Sequence, residues 1–162
     1  REKYKSWVLF PQCPSNDWWG NENRYPKLKG TTIKLVIELM EQMISGNNVD
    51  SNRVYVSGLS MGGMGTFEIL SKRPDMFAAA TPICGSGDLN KVKNYAKKLP
   101  IWIFHGSLDK VVLPQESLNI AKKIIEEGGN LRLTLYENVG HDSWNDAFEE
   151  KDFLSWIHSK SK

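Results

Sequence analysis

Between residues 54 and 63 the chain runs from an apolar, β-branched stretch, Val54-Tyr55-Val56-Ser57, through Gly58-Leu59-Ser60-Met61-Gly62 into a segment with helical periodicity. A Gly-x-Ser-x-Gly segment at a strand-to-helix junction permits one kind of turn. It is so sharp that the serine backbone is strained and its Oγ stands clear of the sheet. Gly58 and Gly62 are expected to be required because a Cβ at either position would collide with neighbouring backbone. The helix opening at Met61 aims its first N–H groups at whatever lies beside Ser60.

The rest of the chain repeats this alternation of strand and helix, which predicts a mostly parallel sheet covered on both faces, a three-layer α/β/α sandwich. Ser6-Trp7-Val8-Leu9-Phe10 reads as a first strand, stopped by Pro11. A polar loop from Gln12 to Gly30 comes next. Ile33, Val36, Ile37, Met40 and Ile44 recur at helical spacing up to Gly46. Met64, Phe67 and Leu70 mark one face of the helix after the turn, with Pro74 as its stop. Further strands are expected at 77–83, 101–104 and 131–136. Pro114 suits the first position of a helix carrying Leu118, Ala121, Ile124 and Ile125, closed by Gly128-Gly129. A final helix, about 146–158, would turn Ala147, Leu154 and Ile157 inward.

With 162 residues, the chain reads as one domain, able to bury about 70% of its unfolded surface. A net charge of +2, with no basic run longer than a pair, points away from nucleic acid and anionic membranes. No apolar stretch approaches the ~20 residues that span a bilayer. A secreted or periplasmic location is favoured over a cytoplasmic one. Cys13 and Cys84 both come after strands; two buried thiols are expected in preference to a disulfide, and neither sits where a nucleophile would.

The chemistry depends on the residues at the carboxyl ends of the later strands. Ile101-Trp102-Ile103-Phe104 leads into His105-Gly106-Ser107-Leu108-Asp109, and the strand 131–136 leads through Gly140 to His141. A serine hydroxyl is a poor nucleophile without a base in hydrogen-bond reach. His141, in a small-residue loop, is the expected base. Asp109 is the expected acid that orients it, with Asp88 and Asp142 as alternatives. The serine–acid–histidine order is that of a nucleophile elbow and its partners in a serine hydrolase. His105 is expected to be structural and His158 solvated. His105, Asp109, His141 and Asp142 lack a metal-ligand spacing such as HExxH, so no metal is expected.

Five stretches carry a resemblance: Phe10-Pro11-Gln12-Cys13-Pro14, the elbow with Gly63, Pro82-Ile83-Cys84-Gly85, the run from Ile103 to Val112, and Gly140-His141-Asp142-Ser143-Trp144. Together they resemble the alpha/beta-hydrolase branch that contains polyhydroxybutyrate-depolymerase-like and feruloyl-type esterases and the proteins called predicted peptidases. The resemblance runs nearly end to end. It implies an esterase of small or phenolic acyl esters, free or polysaccharide-linked, with Ser60, Asp109 and His141 as catalytic triad and no cofactor.

In that family about three more strands, and a His-Gly loop giving the second oxyanion-hole N–H, precede the strand equivalent to Trp7–Phe10. The sequence begins after them, so a fold lacking the N-terminal strands is expected, with an exposed sheet edge open to self-association. The Met61 backbone N–H supplies one oxyanion donor. The Gln12 amide and the Trp18 indole are candidates for a substitute second donor. Gln12, Trp18, Trp19 and Trp144 are expected near the substrate, with Trp18 and Trp19 either stacking on it or covering a sheet edge.

Overall fold

The computed structural model describes residues 4–20, 31–46 and 49–162. Among the described residues, four parallel strands form the sheet: β1 (Tyr55–Leu59), β2 (Ala79–Ile83), β3 (Ile101–Gly106) and β4 (Leu131–Tyr136). They lie side by side in chain order. The helices are α1 (Thr32–Gly46), α2 (Met61–Lys72), α3 (Pro114–Glu126), α4 (Trp144–Glu149) and α5 (Phe153–His158), with short 3₁₀ turns at Pro74–Met76 and Leu89–Asn94.

β3 shows why the sheet is covered on both faces. All six of its residues are buried, and alternate side chains enter different cores, as a period of two requires. Ile101 and Ile103 pack with Ile33 and Ile37 of α1, Phe67 and Leu70 of α2, and Ile120 and Ile124 of α3. Trp102 and Phe104 pack on the opposite side with Ala147 of α4 and with Phe153 and Ile157 of α5. Each fully buried aromatic or aliphatic side chain contributes about 1.5–3 kcal/mol of transfer free energy. The result is the expected three-layer α/β/α sandwich.

Four details depart from the sequence reading. The run Trp7–Phe10 is neither strand nor helix, and Trp7 and Phe10 are 71% and 87% exposed. Strand conformation needs a neighbouring backbone to hydrogen-bond, and β1 is laddered only to β2 among the described residues. The last helix is broken at Glu150, whose ψ of 122° is extended. The break resets the phase, so Phe153 rather than Leu154 joins Ala147 and Ile157 inside. In α3 the inward face is Ser117, Ile120, Ala121 and Ile124, while Ile125 is exposed. The strand expected at 77–83 begins at Ala79, because Phe77 closes the preceding 3₁₀ turn.

Candidate active site

The turn after β1 is as tight as its glycines suggested. Ser60 has φ 53° and ψ −116°, a conformation that an L-residue adopts only under strain. Its amide donates to the Ile83 carbonyl of β2 (3.0 Å), and its carbonyl accepts the first helical bond from Met64 N–H (3.0 Å). The backbone is therefore pinned on both sides while the side chain projects outward. Gly58 permits this approach as expected, and Gly63 does so in place of Gly62. A Cβ on Gly58 would run into the Gly62 carbonyl, and one on Gly63 would lie 2.6 Å from the Ile83 oxygen. A Cβ on Gly62 meets nothing within 4 Å, so the collision predicted there does not occur.

β3 and β4 deliver the other two groups. Their pairing continues past the strand ends, with Ser107 N–H donating to the Tyr136 carbonyl and Leu108 N–H to the Val139 carbonyl (both 2.9 Å). Gly106 lets the two loops pass, since a Cβ there would meet the carbonyls of Val139 and Gly140. Asp109 and His141 are thereby brought together. His141 Nδ1–H donates to Asp109 Oδ2 at 2.7 Å, and Ser60 Oγ–H donates to His141 Nε2 at 2.8 Å. Three residues far apart in sequence form one continuous hydrogen-bonded chain.

Asp109 is 2% exposed. Burial pushes its carboxyl up. Hydrogen bonds from His141 and from the Val111 and Val112 amides outweigh that and hold it below the usual carboxylate range. Oδ1 accepts both amides, at 2.8 and 3.0 Å. The two rival acids lie elsewhere: Asp88 caps the turn at Leu89–Asn94 by accepting from Asn90 N–H (2.9 Å), and Asp142 is exposed. His105 is fully buried, its ring nitrogens bonded to Ser117, Val112 and Asp109. His158 is not solvated as expected but half-buried, stacked on Tyr4 with ring centroids 4.5 Å apart.

The remaining candidates are spread more widely. The Trp144 ring meets His141 edge-on, with centroids 5.4 Å apart. Gln12 is exposed, and its amide donates to the Cys13 carbonyl (3.2 Å). Trp18 is half-buried with its indole against Gly20. Trp19 is a core residue, packed on Gly65 of α2. Met61 N–H opens α2 and has no acceptor within the helix, which leaves it available beside Ser60.

Cys84, whose place here the sequence reading missed, comes directly after β2 with φ 40° and is buried beneath the cluster. Its sulfur, an Asp109 oxygen and a His141 nitrogen lie within 4.8 Å of one another. Burial pushes the thiol up to about 11, so it stays protonated, and the imidazole and carboxylate are bonded to each other; the trio has no free ligand set for a cation. The signal that could have placed it is its position one residue past the strand adjoining the elbow strand. Cys13 and Cys84 are both free and buried, as expected.

A covered parallel sheet, with a strand turning through Ser60 into a buried helix, defines an α/β-hydrolase fold. The family model described as the dienelactone hydrolase family matches residues 19–153, and the chain belongs to that family. The crystal structure of a thermostable esterase superimposes with a TM-score of 0.87 at 36% identity, covering 94% of this chain and 43% of that one. The bifunctional acetylxylan esterase/xylanase XynS20E of Neocallimastix patriciarum is 35% identical over 81 residues, 50% of this chain and 12% of that protein. Poly(3-hydroxyalkanoate) depolymerase C of Paucimonas lemoignei is 30% identical over 88 residues, 51% of this chain and 21% of that protein. The chain thus spans a minor part of the length of these relatives.

Proposed function

We propose that this chain is a single catalytic domain of a serine carboxylesterase. It acts on short-chain or phenolic acyl esters, including esters carried on a polysaccharide. The observation that carries this reading is the unbroken hydrogen-bonded line from Ser60 Oγ through His141 to Asp109. His141 takes the Ser60 proton as Oγ attacks the ester carbonyl, and Asp109 steadies the resulting imidazolium. The tetrahedral oxyanion lies against Met61 N–H at the start of α2. As it collapses, the ester C–O bond breaks, His141 returns the proton to the departing alcohol, and the acyl group stays on Ser60. Water, activated by the same imidazole, then releases the acid. The ester class rests on likeness to an esterase structure and to relatives named for acetylxylan and polyester substrates.

The test pairs a fluorophosphonate probe with turnover of p-nitrophenyl acetate and of peptide anilides. Labelling that is lost in Ser60→Ala, with ester turnover exceeding anilide turnover, is the expected result. Preference for the anilide would make the enzyme a peptidase, and a folded chain that takes no label would make it an inert module.

A further inference from the structure

His105 takes no part in acyl transfer to or from Ser60, yet it is the second imidazole on the acid. Its Nε2 lies 2.9 Å from the Val112 carbonyl oxygen and 3.1 Å from Asp109 Oδ2. Neither a carbonyl nor an ionised carboxylate can donate, so the chemistry of these partners requires the proton to be on His105 Nε2. The same Oδ2 also accepts from His141. One carboxylate oxygen is therefore held between two imidazoles, one fully buried on β3 and one at the edge of the site.

The far side of the His105 ring is fixed as firmly. Nδ1 lies 2.7 Å from Ser117 Oγ of α3, which is also 3.2 Å from the Gly85 carbonyl just past β2. The single hydroxyl proton goes to Nδ1 of a neutral ring, or to Gly85 when Nδ1 is itself protonated, and Nε2 holds its proton either way. The ring is thus tied to an α3 hydroxyl and to the loop after Asp109, with no exposed atom. The groups facing the carboxylate are His141 from the loop after β4, the Val111 and Val112 amides, His105 from β3, and the protonated Cys84 thiol from the end of β2. Of these, His105 alone reaches Oδ2 from inside the fold.

We propose that His105 is a positioning residue for the reaction: its Nε2–H locks Asp109 in the one orientation that presents Oδ2 to His141. Without that bond the carboxylate keeps its two amide contacts through Oδ1 but can pivot about them. The His141 ring then loses its fixed direction toward Ser60. This role rests on the proposed esterase reading for its consequence in catalysis, but not for its geometry.

Glutamine places an amide nitrogen about where histidine has Nε2, and asparagine places one about where it has Nδ1. His105→Gln therefore keeps a donor toward Asp109, while His105→Asn keeps only the contact toward Ser117. In ¹⁵N-histidine-labelled full chain, His105 should carry its proton on Nε2, and His141 Nδ1–H should give a slowly exchanging low-field proton resonance. That resonance should persist in His105→Gln and broaden or vanish in His105→Asn. In parallel, kcat for p-nitrophenyl acetate should fall about tenfold in His105→Asn with KM within about twofold, and His105→Gln should recover most of the loss.

A wild-type His105 whose Nε2 carries no proton overturns the proposal, whether or not the variants fold. So does an equal effect of the two folded variants, or a greater loss in the glutamine variant. Absent ester turnover in the wild type, with the resonance pattern intact, would instead remove the esterase reading and leave the positioning role standing.

Discussion

His141 and Asp109 are joined at 2.7 Å although one lies beyond β4 and the other beyond β3, and the Leu108–Val139 bond just outside them sets their separation. The carboxylate is the hub of this arrangement, since each of its oxygens accepts two donors. Asp109→Asn puts an amide among those four donors. Its NH₂ must then face an N–H, either from the imidazoles or from the backbone. We expect kcat to fall by about 10⁴-fold as His141 turns to the wrong tautomer, read by ester turnover in a variant shown to be folded.

The same substitution should change how stability depends on pH. Asp109 is held below its ordinary value of 3.8 in the folded chain. The unfolded chain therefore takes up a proton first on acidification. The stabilisation is fully present above the unfolded value and is lost as pH falls through the folded one. Urea midpoints measured from pH 6 downward should drop less steeply in Asp109→Asn than in the wild type.

The three glycines around Ser60 should separate cleanly. Gly58→Ala and Gly63→Ala drive a methyl into backbone and should destabilise by roughly 1–3 kcal/mol or more. Gly62→Ala adds a methyl to open space near the start of α2 and should fall within about 1 kcal/mol of wild type. Thermal melts of the three variants give the comparison. A Gly62→Ala loss as large as the others would contradict the geometry.

His158 offers a second pH signature at a different part of the fold. Burial, with a smaller contribution from the Arg53 guanidinium, holds it below 6.5. Below that value the unfolded chain binds a proton that the folded chain resists, so stability declines as pH falls from 7.5 toward 5. His158→Phe keeps a ring against Tyr4 and should flatten this part of the curve.

Both thiols are buried, and each is raised above its ordinary value by that burial. Iodoacetamide at pH 8 should modify neither Cys13 nor Cys84 in the native protein, and both after denaturation. Intact mass before and after urea reads the outcome. Rapid native labelling of Cys84 would mean that the floor beneath His141 opens.

Local chemistry made much of this legible. The elbow, three strands and three long helices can be read from periodicity and from where glycine and proline fall, and Ser60, Asp109 and His141 from strand ends. The features that stayed hidden depended on partners distant in sequence. Trp7–Phe10 has the composition of a strand, but composition cannot supply the neighbour that would make it one. The phase of 146–158 changes at Glu150, which has no proline or glycine to announce it. Trp19 reads as a residue near the substrate or over a sheet edge until Gly65 is seen to make room for it in the core. Cys84 and His105 gain meaning only from the atoms they meet.

The left-handed backbone at Ser60, φ 53°, also limits which residues this position can host. A side chain branched at Cβ fits poorly at such angles, so threonine, although it carries the same hydroxyl, is shut out by its methyl. Cysteine, unbranched, exchanges only oxygen for sulfur. Descendants of this chain could thus drift from alkoxide to thiolate chemistry in a single step, while a threonine hydrolase would have to be built on a different bend.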